Sequence, residues 1–321
     1  MALTDMKIFN KFLIEATIET VSQDIAKFNE ASRGAIILSA EGFEGDFLMA
    51  SMFQSLEGAQ RRVDRKITNS AVTATPLAQI ENASVKVAGG FGPILWEPSQ
   101  LTWMQMNEVE AITALSKTLS EAIIKDQLNT GILAATAAIG NNSALVEDGS
   151  AGAVDQIGLN NSHALFGDRS SSLIAEIMDG ITYHKLIGEA LTNGNRLFSA
   201  GDVTVIDILG KPVIVTDAPA LRDTSGTPKL GKVLSLSQQS IVVTNASDLL
   251  SNIQTVNGKN RIETTFQADY TFGLGVKGYA WKTTAGGSPT DDKIGTGTNW
   301  QKYVSSNKDT AGTMLIFDSE Q

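Results

Sequence analysis

Apolar positions change their rhythm several times along the chain. Over residues 3–30 they recur at loose helical spacing, through Phe9, Leu13, Ala16, Val21, Ile25 and Phe28. The pattern predicts an amphipathic arm or first helix with too little apolar surface for a core of its own. Gly34–Phe53 mixes three glycines with large apolar residues and fits helix and strand equally. Residues 56–100 behave differently. A charged block, Gln60-Arg-Arg-Val-Asp-Arg-Lys66, precedes fourteen uncharged residues from Ile67 to Ile80. Ser84–Ala88 then alternates with period two, and Gly89-Gly90-Phe91-Gly92-Pro93 breaks the alternation. We read two extended arms joined by a turn, a long hairpin with little apolar surface on either face. An isolated two-stranded unit is marginal in water, and nothing else in the chain evidently covers this one.

The strongest local signal runs from Leu101 to Gly140. Ile112, Leu115, Leu119 and Ile123 step along one face, while Glu108, Glu110, Lys117, Glu121 and Lys125 occupy the rest. Ser99–Thr102 supplies capping hydroxyls and Gly140 a stop, with Gly131 a candidate kink or break. A continuous helix there would be about 55 Å long. Its second half is rich in alanine, which permits close approach by a neighbour. A coiled coil is the competing reading, but the apolar stripe breaks at Asp126 without a sustained heptad.

Beyond a linker at Asn141–Gly158 the pattern becomes α+β. Ser170–Glu176 reads as the capped start of a short helix, and Thr182–Leu191 as a second helix. Asp202–Leu209 and Val213–Thr216 read as two strands across Gly210-Lys-Pro212. Ile241–Thr244 is a short strand and Ile262–Trp281 a long one. A Gly/Asp/Thr loop follows at Gly286–Asn299, then a last strand at Met314–Phe317.

Composition narrows the chemistry. The 321 residues include no cysteine, which excludes disulfides, thiolate metal sites, iron–sulfur clusters and a cysteine nucleophile. Two histidines, His163 and His184, are too few for a three-histidine zinc site. With 25 basic and 35 acidic residues the net charge is -10, which argues against general nucleic-acid binding. No secretory signal is visible, and the uncharged stretch Gln127–Val146 is too polar for a membrane span. The sequons at Asn82 and Asn245 read as chance matches.

Catalytic motifs are absent: no P-loop, no HExxH, no Gly-x-Ser-x-Gly elbow. A triad can still be assembled from distant residues, with Asp179, Tyr183 and His184 the most noticeable group. His184 is expected on a helix surface or in packing, with an interface role as the alternative, and His163 on a polar surface loop. Glu108/Glu110 and Asp291/Asp292 pair carboxylates without a cleft to frame them, and solvation in a polar loop explains Asp291/Asp292, with a calcium site the lesser reading. No metal or cofactor site is expected. The dense basic cluster is Arg61, Arg62, Arg65 and Lys66. It is either a solvated strand base or a charge-paired contact with another copy or with packaged nucleic acid. A charged block at the root of a polar hairpin is badly placed for a core, which favours an intermolecular contact.

In its order of elements the chain resembles the major capsid proteins of tailed bacteriophages, the HK97-like capsid family. Arm (2–40), polar hairpin (about 50–98) and long helix (102–139) are similar to that family's N-arm, E-loop and spine helix. Val205-Ile-Asp-Ile-Leu-Gly-Lys-Pro-Val-Ile-Val-Thr-Asp217 resembles a strand–Gly–basic–Pro–strand segment of the axial domain. Asn260–Phe266 through Phe272–Trp281 looks like the late strands returning to the peripheral domain. The likeness covers essentially the whole chain.

The resemblance implies an α+β, HK97-like fold. Its parts would be an N-terminal arm (1–40), an extended hairpin and its base (41–100), and a peripheral domain with the spine helix (101–155). An axial domain (156–255) and return strands with the 286–299 loop and a C-terminal strand (256–321) would complete it. It implies pentamers and hexamers in an icosahedral shell around double-stranded DNA, assembled in the bacterial cytoplasm and located in the virion. Implied partners are a separate scaffolding protein, since the arm begins near Met1, a portal, a decoration protein in some members, and weakly held DNA. Arg61, Arg62, Arg65, Lys66 and Lys86 become the expected intersubunit contacts. Some members crosslink a hairpin lysine, but no partner asparagine or catalysing acid is identifiable here. The competing readings are an encapsulin-like nanocompartment shell, another head or tail protein, a ligand-binding module, and an enzyme built around His184.

Overall fold

The computed structural model describes residues 29–30, 32–39, 47–53, 62–63, 65–66, 71, 79–97, 108–192, 211–258 and 260–320. Most of the predicted arm and of the hairpin tip, and the 202–209 strand, lie outside them. Two mixed sheets and one long helix organise the chain.

The first sheet contains β1 (Ile36–Ser39), β2 (Phe47–Phe53), β3 (Gln79–Trp96), β9 (Ile241–Val256), β10 (Glu263–Val276), β11 (Tyr279–Trp281) and β12 (Trp300–Lys302). Gly34–Phe53, ambiguous in sequence, is therefore strand where it is described. β1 runs parallel to β9 from Ile36↔Ile241 to Ser39↔Thr244. Asn29 holds the far edge of β1: its amide donates to Leu38 O at 2.7 Å and accepts from Leu38 N at 2.9 Å.

The hairpin is β2 against β3, paired from Phe47↔Val85 to Phe53↔Gln79. Two expectations are corrected here. The hairpin is not left uncovered, because β10 pairs along β3 from Thr264↔Trp96 to Leu274↔Val85. Nor do the glycines break the strand. Gly89 lies opposite Tyr270, and a Cβ there would come within 2.6 Å of the Tyr270 ring. Phe91, Tyr270 and Phe272 stack with centroids 5.5 and 6.2 Å apart, so the missing side chains make room for that column.

The second sheet has the order β4 (Val146–Gly149), β13 (Gly312–Asp318), β8 (Leu230–Ser237), β5 (Leu173–Met178) and β6 (Val213–Val215), with β7 (Arg222–Asp223) on β8. Leu173–Met178 is thus a strand and not the short helix its serine caps suggested. It is buried on both faces between β8 and β6, and a short apolar run of that kind has no periodicity to separate strand from helix.

Helix α1 (Glu108–Gly140) is continuous, and its 33 residues span about 50 Å. Gly131 does not split it. A Cβ there would lie 2.9 Å from Ile241 Cγ2, so the glycine sets a close approach to β9. The alanine-rich half joins both sheets in one core: Ile132, Ala135, Ala138 and Ile139 share a cluster with Ile241, Phe272 and Leu274 of the first and Ile177, Leu234 and Met314 of the second. Two further helices, α2 (Gln156–Ala164) and α3 (Gly180–Thr192), belong with the opposite face of the second sheet. There Leu159 and Leu186 pack with Met178, Val233, Leu315 and Phe317. The predicted linker at Asn141–Gly158 thus contains β4 and the start of α2.

The loop at Gly286–Asn299 is built into the fold through a short helix α4 (Asp291–Ile294). Trp281 Nε1 donates to Gly286 O and Trp300 Nε1 to Ile294 O, the two indoles meeting edge to face at 5.1 Å. Ile294 is fully buried.

Candidate assembly surfaces

The hairpin separates its apolar and charged parts along its length. Val85 and Val87 are buried in the core, where β3 lies against β10. In the segment between β2 and β3, Arg62, Val63, Arg65 and Lys66 are all exposed. Arg61 is outside the described residues. Val63 stays 65% exposed beside the arginines, so the tip presents an apolar group among cations. Lys86 is half-buried on β3 opposite Gly273, and its carbonyl accepts from Ser288 N at 3.1 Å. It therefore belongs to the body of the sheet and not to the tip cluster.

A second surface had no signal in the sequence. β1 pairs only with Ile241–Thr244 of β9, and β2 only with Gln79–Val85 of β3. Past those points β9, β10 and β3 continue together, and no other described strand pairs their outer edges. One face of this ribbon is packed: Phe266 and Ala268 sit with Leu119, Leu249 and Ile253. Leu95 and Leu250 nevertheless remain 57% and 70% exposed, with Ile94, Val256 and Ile262 also in solvent. Arg261 pairs with Glu97 at 3.2 Å and ties the turn of the ribbon to the end of β3. Open strand edges and exposed large hydrophobes on one projection are what a protein normally covers with a partner. Alternation alone cannot reveal this, because those residues are exposed by where their neighbours stop.

The groups considered for catalysis do not assemble a nucleophilic site. His184 is exposed on α3, as expected, with its ring edge-on to Tyr183 at 5.5 Å. Asp179 caps α3, accepting from Thr182 N at 2.9 Å, and pairs with Arg222 at 3.3 Å. Asp291 and Asp292 are exposed in the first turn of α4, and Glu108 and Glu110 begin α1. Among the described residues no three His, Asp or Glu side chains gather as metal ligands, and no helix is long and apolar enough to cross a membrane.

His163 is a correction: it is buried at the end of α2, not on a surface loop. Its Nε2 lies 2.6 Å from Glu176 Oε1, while Ser235 Oγ donates to Glu176 Oε2 at 2.7 Å. The carboxylate is the central member, so the serine is not held by the imidazole as a nucleophile would be. Lys211, half-buried, approaches His163 Nδ1 at 3.3 Å. Burial holds the Lys211 ammonium below the ordinary lysine range, and the Glu176 charge opposes that shift.

The family model described as major capsid protein 13-like matches residues 5–314. Among curated proteins none matches. Among solved structures, the capsid asymmetric unit of cyanophage Pam1 superposes with a TM-score of 0.55 at 15% identity, covering 88% of both chains. The capsid of Ralstonia phage GP4 does so at 0.51 and 10%, covering 89% of this chain and 87% of that one. The SrpI encapsulin complex from Synechococcus elongatus PCC 7942 reaches 0.50 at 11%, covering 88% and 84%. At such identities the structural likeness speaks for the fold. The family model, spanning nearly the whole sequence, goes further: the chain belongs to the major capsid protein 13-like family and has the HK97-like capsid fold.

Proposed function

We propose that the chain is the repeating subunit of an icosahedral bacteriophage head, forming pentamers and hexamers around double-stranded DNA. The observation that carries this is the paired projection of hairpin tip and ribbon, cationic in one and apolar in the other, neither covered by the described residues. In a closed shell each projection lies on a neighbouring copy, where open strand edges are hidden and exposed hydrophobes are buried. Arg61, Arg62, Arg65 and Lys66 supply charge-paired contacts to acidic surface on the next subunit, and Lys86 a further contact at the hairpin base. The axial lobe and the N-terminal arm complete the interfaces. A separate scaffolding protein, a portal and, on the outer face, a decoration protein are the expected partners. The subunits assemble in the host cytoplasm and remain in the virion. A net charge of -10 suits a wall that must hold DNA without gripping it.

The test is to produce the chain alone and with candidate scaffolds, then image the products by negative-stain electron microscopy. Closed shells or rings of five and six are expected. A monomer or dimer under every condition would overturn the proposal. Reversing Arg62→Glu and Arg65→Glu together should leave the circular dichroism of the free subunit unchanged and lower shell yield about tenfold. Undiminished yield would remove the tip cluster from the interface.

The encapsulin likeness supports a second reading, a nanocompartment shell filled with protein. Shell contents separate the two, since nuclease-sensitive DNA marks a virus head and a co-purifying protein cargo marks a nanocompartment.

A further inference from the structure

A row of polar side chains crosses the second sheet at one register: Thr313 on β13, Ser235 on β8 and Glu176 on β5. Each is at most 1% exposed in an otherwise apolar layer. From α2, Ser162 Oγ donates to Thr313 Oγ1 at 3.0 Å and His163 reaches Glu176. Every hydroxyl and carboxylate oxygen of the row thus has a partner, and the imidazole is fixed on both sides. A lysine ammonium can only donate, so His163 Nδ1 accepts from Lys211 and Nε2 carries the proton given to Glu176. With Lys211 as the ammonium and Glu176 as the carboxylate, this tautomer places an uncharged ring between them.

We propose that His163 and Lys211 form a one-cation latch that releases strand β6 on acidification. A second proton placed on the ring turns Nδ1 into a donor facing an ammonium 3.3 Å away, with no lone pair between two like charges. The imidazolium keeps Glu176 as its counter-ion inside the sheet. Lys211 is half-buried on a long flexible stem, so it is the group that leaves for water.

Other described charges do not substitute for it. On α3, Lys185 donates to Ser319 O, Glu189 accepts from Gln156 N, His184 is exposed and Asp179 is held by Thr182 N and Arg222. Asp155 caps the opposite end of α2. Asp168 and Arg169, after α2, pair with Lys308 and Asp309. Strands β8 and β13 offer only hydroxyls at this register.

Lys211 lies two residues before β6, a three-residue strand that runs parallel to β5 and is the last of its sheet among the described strands. Its flanking backbone bonds run from Glu176 N to Pro212 O and from Thr216 N to Met178 O, each 3.0 Å. Loss of the side-chain anchor should therefore open this edge while the centre of the sheet stays closed.

Hydrogen–deuterium exchange of the full chain tests this at about pH 7.5 and about pH 5.5, the interval in which histidine side chains change charge, after correction for intrinsic exchange. Protection of Val213–Val215 should fall about tenfold in acid, with β13 as an unchanged internal reference. His163→Gln keeps a donor for Glu176 but cannot gain charge, and Lys211→Met has no cation to expel. Both should lose the acid response. Equal acid loss in either folded variant, or parallel loss in β13, would overturn the latch. Should His163→Gln not fold, Lys211→Met decides alone.

Discussion

Tyr270 donates to Asp126 Oδ2 at 2.5 Å and so ties the middle of β10 to the middle of α1. Desolvation dominates at Asp126 and raises its carboxyl above the ordinary aspartate range, although the tyrosine hydrogen bond works the other way and Asp291 adds to the rise. The folded-state value therefore lies above the unfolded one. Such a group stabilises the fold fully below the unfolded value of about 3.9, and that contribution is lost as pH rises through the folded value. Asp126→Asn retains an acceptor for Tyr270 without the ionisation. Urea unfolding of the free subunit between about pH 4 and about pH 7 should show a flatter profile for the variant, which gains on the wild type as pH rises. Identical slopes would refute the assignment. The same residue breaks the apolar stripe of the helix in sequence, yet nothing in sequence pairs it with a tyrosine 144 positions away.

At the level of elements, small residues measure approach distances. Alanine at position 131 would improve helix propensity by up to about 1 kcal/mol. Its Cβ would also sit 2.9 Å from Ile241 Cγ2, a branched methyl anchored in a strand with little room to retreat. Overpacking of that kind costs about 1–3 kcal/mol, so Gly131→Ala should lower the urea midpoint; a raised midpoint would show that the helix can move off the sheet. This explains why Gly131 read as a candidate kink or break in sequence while the helix runs on through it. α1 was legible from the one-sided apolar spacing of its first half and β10 from its alternation, because those periods are local. Leu173–Met178 was not, since burial on both faces erases alternation. The 286–299 loop also read as irregular, because Trp281 and Trp300 hold it through backbone carbonyls that composition does not display.

For the whole molecule, one core runs through α1 into both sheets, while the described residues between β2 and β3, among them Arg62, Val63, Arg65 and Lys66, are exposed. Replacing residues 54–78 by a short Gly/Ser turn should therefore leave the thermal midpoint of the free subunit nearly unchanged and abolish shells in electron micrographs. A large drop in midpoint would mean that the tip is part of the subunit's own fold. The sequence by itself determined the absence of thiol chemistry, the long helix, the polar hairpin, the basic cluster and, through their order, the likeness to phage capsid proteins. These follow from composition and from periods of two and 3.6 residues, which are properties of neighbouring positions. Only the tertiary structure decided that β10 covers the hairpin, that ribbon hydrophobes stay exposed, and that His163, Glu176, Ser235 and Lys211 meet. Each of those depends on strands and helices distant in sequence. A residue's burial and its partner are set by what folds against it, and local pattern carries no record of that.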